Sequence, residues 1–188
     1  PVLAQSGFEA DDIIASVVRQ VLENPALSDV RIKIVSRDKD LEQLLCERVC
    51  LYDVHKEETV DEASLLAEKG ITPAQVVDML ALTGDTADNI PGVKGIGPKT
   101  AAQLLQEYGS IEGIYANIDQ IRGKRRENLL AAKDMLPLTR ELVTLRADAD
   151  ITFDPAASTV GPIDVEGILR IFQDLGFRRH QEEVKKIA

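Results

Sequence analysis

The chain has no tryptophan, 4% aromatic residues, two cysteines and two histidines. Cys46 and Cys50 stand four apart, the wrong interval for a Cys-x-x-Cys pair, and two cysteines in 188 residues make no disulfide framework. That usage fits a reducing cytoplasm. His55 and His180 show no ligand spacing with each other or with the cysteines, which excludes a zinc site of the His/Cys kind and leaves both as surface or packing residues. No apolar run reaches the roughly 18 residues of a membrane helix, and no signal-peptide pattern opens the chain, so no membrane partner is expected. Repeats and low-complexity segments are also missing. What remains is 44% hydrophobic, enough to bury the core of one domain or of a domain with a helical lobe.

Net positive charge is lacking too, but unevenly. Residues 1–90 hold 8 Lys and Arg against 18 Asp and Glu, a net of −10; residues 91–126 hold 6 against 3, a net of +3; residues 127–188 hold 8 against 11, a net of −3. One basic zone beside a strongly acidic one suggests phosphates held on one side and cations on the other.

The basic zone surrounds a glycine turn, Gly92-Val93-Lys94-Gly95-Ile96-Gly97, followed by Pro98, Lys99 and Thr100. Gly92, Gly95 and Gly97 can take backbone angles closed to other residues, so the turn can aim N–H groups outward as an anion nest. A helix beginning at Pro98 adds its own unpaired N–H groups and positive dipole end. The guest such a turn suits is a phosphate. Gly92 to Gly97 has the spacing of a P-loop, but Pro98 intrudes before the lysine and a polar turn precedes Gly92 where a buried strand belongs. The helical spacing of Val76, Val77 and Leu80 upstream, and of Ala101, Leu104 and Leu105 downstream, favours the hairpin of a helix-hairpin-helix, which grips a duplex backbone without reading bases. A glycine-rich connection without a ligand is the alternative. Lys124, Arg125 and Arg126 are further candidates for backbone contact, or simply a solvated charge run.

Along the chain, Ala10, Ile13, Ile14, Val17, Val18, Val21 and Leu22 predict a helix ended by Asn24-Pro25, with Glu9, Asp11 and Asp12 at its start. Arg31–Val35 predicts a strand, with Ser36-Arg37-Asp38-Lys39-Asp40 at its carboxyl end, the edge where ligands sit in open α/β sheets. Val49–Val54 predicts a second strand, Val60–Lys69 a helix closed by Gly70, and Pro73–Leu82 another. Short helices follow at Ile111–Ala116 and Asn128–Leu136, a strand at Ala149–Phe153, a loop from Asp154 to Pro162, and a last helix face of Val165, Ile168, Leu169 and Phe172 ending near Gly176.

Glu9/Asp11/Asp12, Asp38/Asp40 and Asp85/Asp88 are each weak signals. Together they put seven acids at the ends of helices and strands. Like charges at 4 Å repel by ~4 kcal/mol at an effective dielectric of 20, so converging carboxylates call for divalent cations, and an all-oxygen ligand set suits Mg²⁺ or Mn²⁺. Two such ions stabilise the attacking and leaving oxygens of a phosphodiester displacement.

Gly7-Phe8-Glu9-Ala10-Asp11-Asp12-Ile13-Ile14, Ser36-Arg37-Asp38-Lys39-Asp40-Leu41 and the run from Thr83 to Gly97 resemble three successive signatures of the 5′-3′ exonuclease domain of bacterial DNA polymerase I, within the flap endonuclease family. The resemblance runs through essentially the whole chain; Arg37, where a smaller residue is usual, is a minor departure. It implies an α/β fold: a Rossmann-like, resolvase- or PIN-like nuclease core over 1–85, a helix-hairpin-helix lobe over 86–150 and C-terminal loop and helices over 151–188. It implies a nuclease cutting 5′ flaps, nicked duplexes and RNA primers in DNA replication and repair, in a monomeric state, with a polymerase domain expected downstream in the parent chain; a stand-alone exonuclease as parent is the open alternative. By motif match, Glu9, Asp11 and Asp12 serve a first metal and Asp38, Asp40 and Asp88 a second, with Asp85 nearby; the Gly92–Gly97 turn corresponds to a hairpin that in the family often holds a potassium ion. The family's domain opens with a strand carrying Asp-Gly, a further aspartate and a basic helical arch, none of which precedes Glu9. The chain therefore resembles the C-terminal majority of that domain, and the expectation is that by itself it cuts DNA poorly. Two other readings stay open: a catalytically silent duplex-binding module and a generic acidic cation-binding protein.

Overall fold

The computed structural model describes residues 1–86 and 88–186. Val2–Phe153 form one compact unit and the residues from Asp154 onward another.

In the first unit, helix α1 (Ala10–Glu23) buries Ile13, Ala15, Val18 and Val21, the stripe that a 3.6-residue period predicts. Asp11 and Asp12 occupy its first turn, where the helix dipole favours negative charge. Strands β1 (Ile32–Val35) and β2 (Val49–Asp53) pair in parallel, and β3 (Glu58–Val60) adds antiparallel to β2, giving the order β1-β2-β3. Parallel neighbours need a crossover. Here it contains a 3₁₀ helix, Lys39–Leu44, anchored by the fully buried Leu41. The strand β3 was not expected: Val60 closes it, and helix α2 (Glu62–Lys69) begins only after Asp61, whose carboxylate accepts the Ser64 N–H at 2.8 Å and so sets the start. Gly70, at φ 70°, ends that helix as expected.

The helical part follows. A 3₁₀ turn at Pro73–Gln75 leads into α3 (Val76–Thr83), then a ladder of β4 (Gly84–Asp85) and β5 (Ile90–Pro91), the glycine turn, α4 (Pro98–Tyr108), α5 (Ile111–Ala116), α6 (Gly123–Ala132) and α7 (Leu136–Val143). Val76, Met79, Leu80, Ala81 and Leu82 of α3 are all buried, making it the central helix, and the apolar core runs unbroken from Val18 to Val143. Asp78 is buried among them and is tolerated because it accepts the Ile111 N–H at 2.9 Å and pairs with Arg140 at 3.1 Å, tying α3, α5 and α7 together.

Three expectations are corrected. Helix α6 begins at Gly123, not Asn128, so Lys124, Arg125 and Arg126 sit in its first turn; it stops at Ala132, and Leu136 opens a new helix. Ala149–Phe153 is not a strand. It is held along α1 by side chains instead: the Ala149 N–H donates to Ser16 Oγ at 3.1 Å, Gln20 Nε2 donates to the Ile151 carbonyl at 2.9 Å, and Gln20 Oε1 accepts the Phe153 N–H at 3.2 Å. The polar stripe Asp12, Ser16, Gln20 on α1, four residues apart, takes the backbone groups a neighbouring strand otherwise takes.

The second unit holds α8 (Val165–Asp174), capped by Asp164, and α9 (Arg178–Val184), which the polar run after Gly176 did not predict. Phe172, Phe177 and His180 stack their rings between the two helices, with centroids 5.6–5.9 Å apart.

Candidate metal centre

Three chain turns bring the acids together. Glu9 caps α1 from outside, with Asp11 and Asp12 one turn in. At the carboxyl end of β1, Asp38 caps the 3₁₀ helix: its Oδ1 accepts the Asp40 N–H at 3.0 Å, and its own N–H donates to Ser36 Oγ at 3.1 Å. That Asx turn orients Asp40 inward. On β4, Asp85 is buried, and Asn89, in left-handed angles at φ 57°, helps the chain reverse beside Asp88.

Asp40, Asp85 and Asp88 each offer an oxygen, and these atoms lie within 4.8 Å of one another. Asp40 Oδ1 is buried and, among the described residues, accepts no hydrogen bond. Burial above all, then the charges of Asp38 and Asp85, push the Asp40 carboxyl up to about 6. Asp11 is also raised, by burial first and then by the charge of Asp38 and a hydrogen bond with it. Glu9, Asp11, Asp12, Asp38, Asp40 and Asp88 line one cavity of about 1040 Å³, with Arg140 and Arg146 on its wall. Asp12 differs from the others. Its Oδ2 accepts the Glu9 N–H at 3.2 Å and its Oδ1 the Arg146 N–H at 2.8 Å, so it ties the start of α1 to the chain beyond α7.

Sequence reasoning missed four residues here. Lys39 Nζ reaches Asp85 Oδ2 at 2.9 Å. Gln43, on the same 3₁₀ helix as Asp40, donates from Nε2 to the Val143 carbonyl at 2.7 Å and accepts the Leu145 N–H at 3.2 Å. Arg146 stacks its guanidinium over Phe8 at 4.1 Å and pairs with Asp148 at 3.1 Å. Arg140 bridges Asp78 and Glu112. Only Lys39 carried a signal, its place between two of the acids.

The glycine turn is built differently from the nest its spacing suggests. Of its three glycines only Gly95, at φ 74°, takes left-handed angles. Gly92 serves close approach instead: a Cβ there would collide with the Thr83 carbonyl and the Gly84 nitrogen. Gly97 is the extended N-cap of α4 with open space around it. Val93 and Ile96 are buried, the Val93 N–H donates to the Leu82 carbonyl at 2.8 Å, and the Ile96 N–H donates to the Val93 carbonyl at 3.0 Å. Asn128 Nδ2 donates to the Lys94 carbonyl at 2.7 Å, pinning the turn to α6. Lys94, Gly95, Gly97 and Lys99 face solvent, and Thr100 is half-buried. Arg125 is exposed, whereas Lys124 pairs with Glu127 at 2.8 Å and Arg126 with Asp119 at 2.7 Å. The acid Asp85 and the turn share one ladder, since Gly84 pairs with Pro91 and Asp85 with Ile90.

A sequence model of the 5′-3′ exonuclease N-terminal resolvase-like domain matches residues 1–70, and one of the 5′-3′ exonuclease C-terminal SAM fold matches residues 71–166. The chain belongs to the 5′-3′ exonuclease family. The DNA polymerase I of Rhizobium leguminosarum is 43% identical over 163 residues, which are 86% of this chain and 16% of that protein. A 5′-3′ exonuclease of Aquifex aeolicus is 35% identical over 187 residues, 100% of this chain and 62% of that protein. The chain thus spans about a sixth of the one relative and under two thirds of the other. Among solved structures, a single-site mutant of the T5 5′-exonuclease superposes with a TM-score of 0.67 at 28% identity, covering 78% of this chain and 59% of that one. Other structures of the phage protein hold zinc ions, or DNA with metal ions; at 24% and 23% identity they speak to the fold. The resolvase-like α/β core and the helical lobe expected from the resemblance are the fold of this family member.

Proposed function

We propose that this chain is the nuclease part of a divalent-metal-dependent, structure-specific 5′-3′ exonuclease or flap endonuclease. Its substrate on this reading is duplex DNA with a 5′ flap or a nick, including RNA primers, in replication and repair. The observation that carries it is the buried Oδ1 of Asp40, without a hydrogen-bond partner among the described residues, within a group of three carboxylates that each offer an oxygen within 4.8 Å of the others. A buried anionic oxygen without a donor is costly, and a hard cation satisfies it where no N–H group does. The donor set, all carboxylate, fits Mg²⁺ or Mn²⁺.

Glu9, Asp11 and Asp12 would hold one ion and Asp38, Asp40 and Asp88, with Asp85, the other. Bound divalent ions supply Lewis acidity, lowering the pKa of water and neutralising charge on the phosphodiester. The chain's own residues do the rest. Asp38 fixes Asp40 through its Asx turn, and Gln43 and Asp12 bind the end of α7 and the chain just beyond it, at Val143, Leu145 and Arg146, tying the elements that carry the acids to one segment. The exposed Lys94, Lys99 and Arg125 and the start of α4 hold the duplex backbone at a distance set by the β4–β5 ladder. A potassium ion at the Gly92–Gly97 turn, implied by the resemblance, would be held through backbone carbonyls; those of Val93 and Lys94 each accept one hydrogen bond, from the Ile96 N–H and Asn128 Nδ2, and keep a second lone pair for it. A polymerase domain in the same protein, as in the DNA polymerase I relatives, and a cytoplasmic, monomeric setting complete the proposal.

The test is cleavage of a labelled 5′-flap duplex by the whole protein that carries this chain, with Mg²⁺, with EDTA, and with Asp88→Asn. Mg²⁺-dependent product lost in the variant supports the reading. Binding of the duplex without any product points instead to a silent helix-hairpin-helix module, and neither binding nor product defeats both.

A further inference from the structure

Lys39 is a cation that the fold itself places among the second group of acids. It opens the 3₁₀ helix between Asp38 and Asp40, and that turn carries its side chain to Asp85, Nζ lying 2.9 Å from Oδ2. The side chain of Asp85 is 6% exposed and that of Lys39 47%, so the ammonium reaches a buried carboxylate from the solvent side. The same carboxylate offers an oxygen within 4.8 Å of those of Asp40 and Asp88.

We propose that Lys39 is a resident counter-ion that competes with the divalent cation for Asp85 and so sets the cation affinity of this site. The inference rests on the reading of Asp40, Asp85 and Asp88 as a cation site. An ammonium group gives one proton to each oxygen it meets at about 2.9 Å, whereas a Mg²⁺ ion draws several oxygens to about 2.1 Å. The two cannot both have Asp85 on equal terms, because the ion and the ammonium carry like charge at close range. Without a divalent ion, Lys39 offsets part of the repulsion among Asp38, Asp40, Asp85 and Asp88. With one, the ion pair has to loosen, and the ion's apparent affinity falls by what that pair is worth. For a half-exposed pair that is roughly two- to fivefold. Removing the lysine therefore moves apo stability and cation affinity in opposite directions, which a merely structural lysine does not do.

The experiment compares the chain with Lys39→Met, which keeps length and drops charge, with Lys39→Gln as a second neutral variant and with Lys39→Arg as the conservative one. Mn²⁺ uptake is read from the loss of the free-ion paramagnetic resonance signal, and thermal unfolding is recorded in EDTA and in Mg²⁺. The neutral variants should melt below the parent in EDTA, bind Mn²⁺ about two- to fivefold more tightly, and gain more from Mg²⁺, with Lys39→Arg close to the parent. Neutral variants that bind Mn²⁺ no more tightly than a parent that does bind it overturn the role of Lys39 alone. A parent that takes up no Mn²⁺ overturns the cation site and this inference with it.

Discussion

Replacing Asp40 by Asn should make the cation-free chain more stable and the cation-loaded chain less so. The carboxyl of Asp40 is raised from 3.8 to about 6, chiefly by burial and then by Asp38 and Asp85. For a group whose folded pKa lies above its unfolded one, the stabilising contribution is complete below the unfolded pKa and is lost as pH rises through the folded one. Between pH 4 and pH 6, ionisation of Asp40 therefore draws down stability, and at pH 7.5 the penalty is at its full size. Two pKa units correspond to ~3 kcal/mol, and because Asp40 is only half-buried, solvent screening reduces this to about 1–2 kcal/mol. Asp40→Asn keeps the shape and removes the charge, so in EDTA at pH 7.5 the variant should unfold roughly 3–6 °C above the parent. That gain should shrink toward zero near pH 4, where the parent's carboxyl is protonated. Saturating Mg²⁺ should reverse the order, since an ion at about 100 times its dissociation constant stabilises the parent by ~2.7 kcal/mol and the variant by little. Thermal unfolding followed by circular dichroism at pH 4, 6 and 7.5, with EDTA and with Mg²⁺, reads all of this. A variant less stable than the parent in EDTA at pH 7.5, or a difference independent of pH, would show that Asp40 does not carry the strained charge.

Two further outcomes follow from the hairpin. Gly92→Ala drives a Cβ into the backbone of Thr83 and Gly84 and should cost at least ~3 kcal/mol in urea unfolding, while Gly97→Ala, with nothing within 4 Å, should cost less than ~1 kcal/mol; equal costs would refute the close-approach role of Gly92. Lys94→Ala combined with Lys99→Ala should weaken duplex binding for every sequence alike and flatten the plot of log affinity against log salt by roughly 0.9 for each phosphate no longer neutralised; an unchanged slope would move the DNA-binding surface away from this turn.

Why some of this was legible in the chain and some was not comes down to the range of the interactions involved. Helix α1, strands β1 and β2, the Pro98 start of α4 and the Gly70 stop of α2 depend on periodicity and caps, which act within a turn or two and can be read off neighbouring residues. The seven acids were legible for the same reason, each sitting at the end of such an element. The glycine turn shows where local reading fails: spacing alone suggested three special backbone angles, but Gly92 is glycine because a distant backbone, Thr83, presses on it. Ala149–Phe153 has the β-forming residues of a strand, yet its backbone groups are taken by Ser16 and Gln20, more than 130 residues away. Gln43, Lys39 and Asp12 follow the same logic. Each has an ordinary local role in the chain, and each acquires its second role from a partner brought in by the fold: Val143, Asp85 and Arg146. The acids that define the site are thus local features, whereas the side chains that fix their spacing are long-range ones. In a cluster of like charges the second set matters as much as the first, because repulsion drives the carboxylates apart unless something other than the cation holds their backbones together.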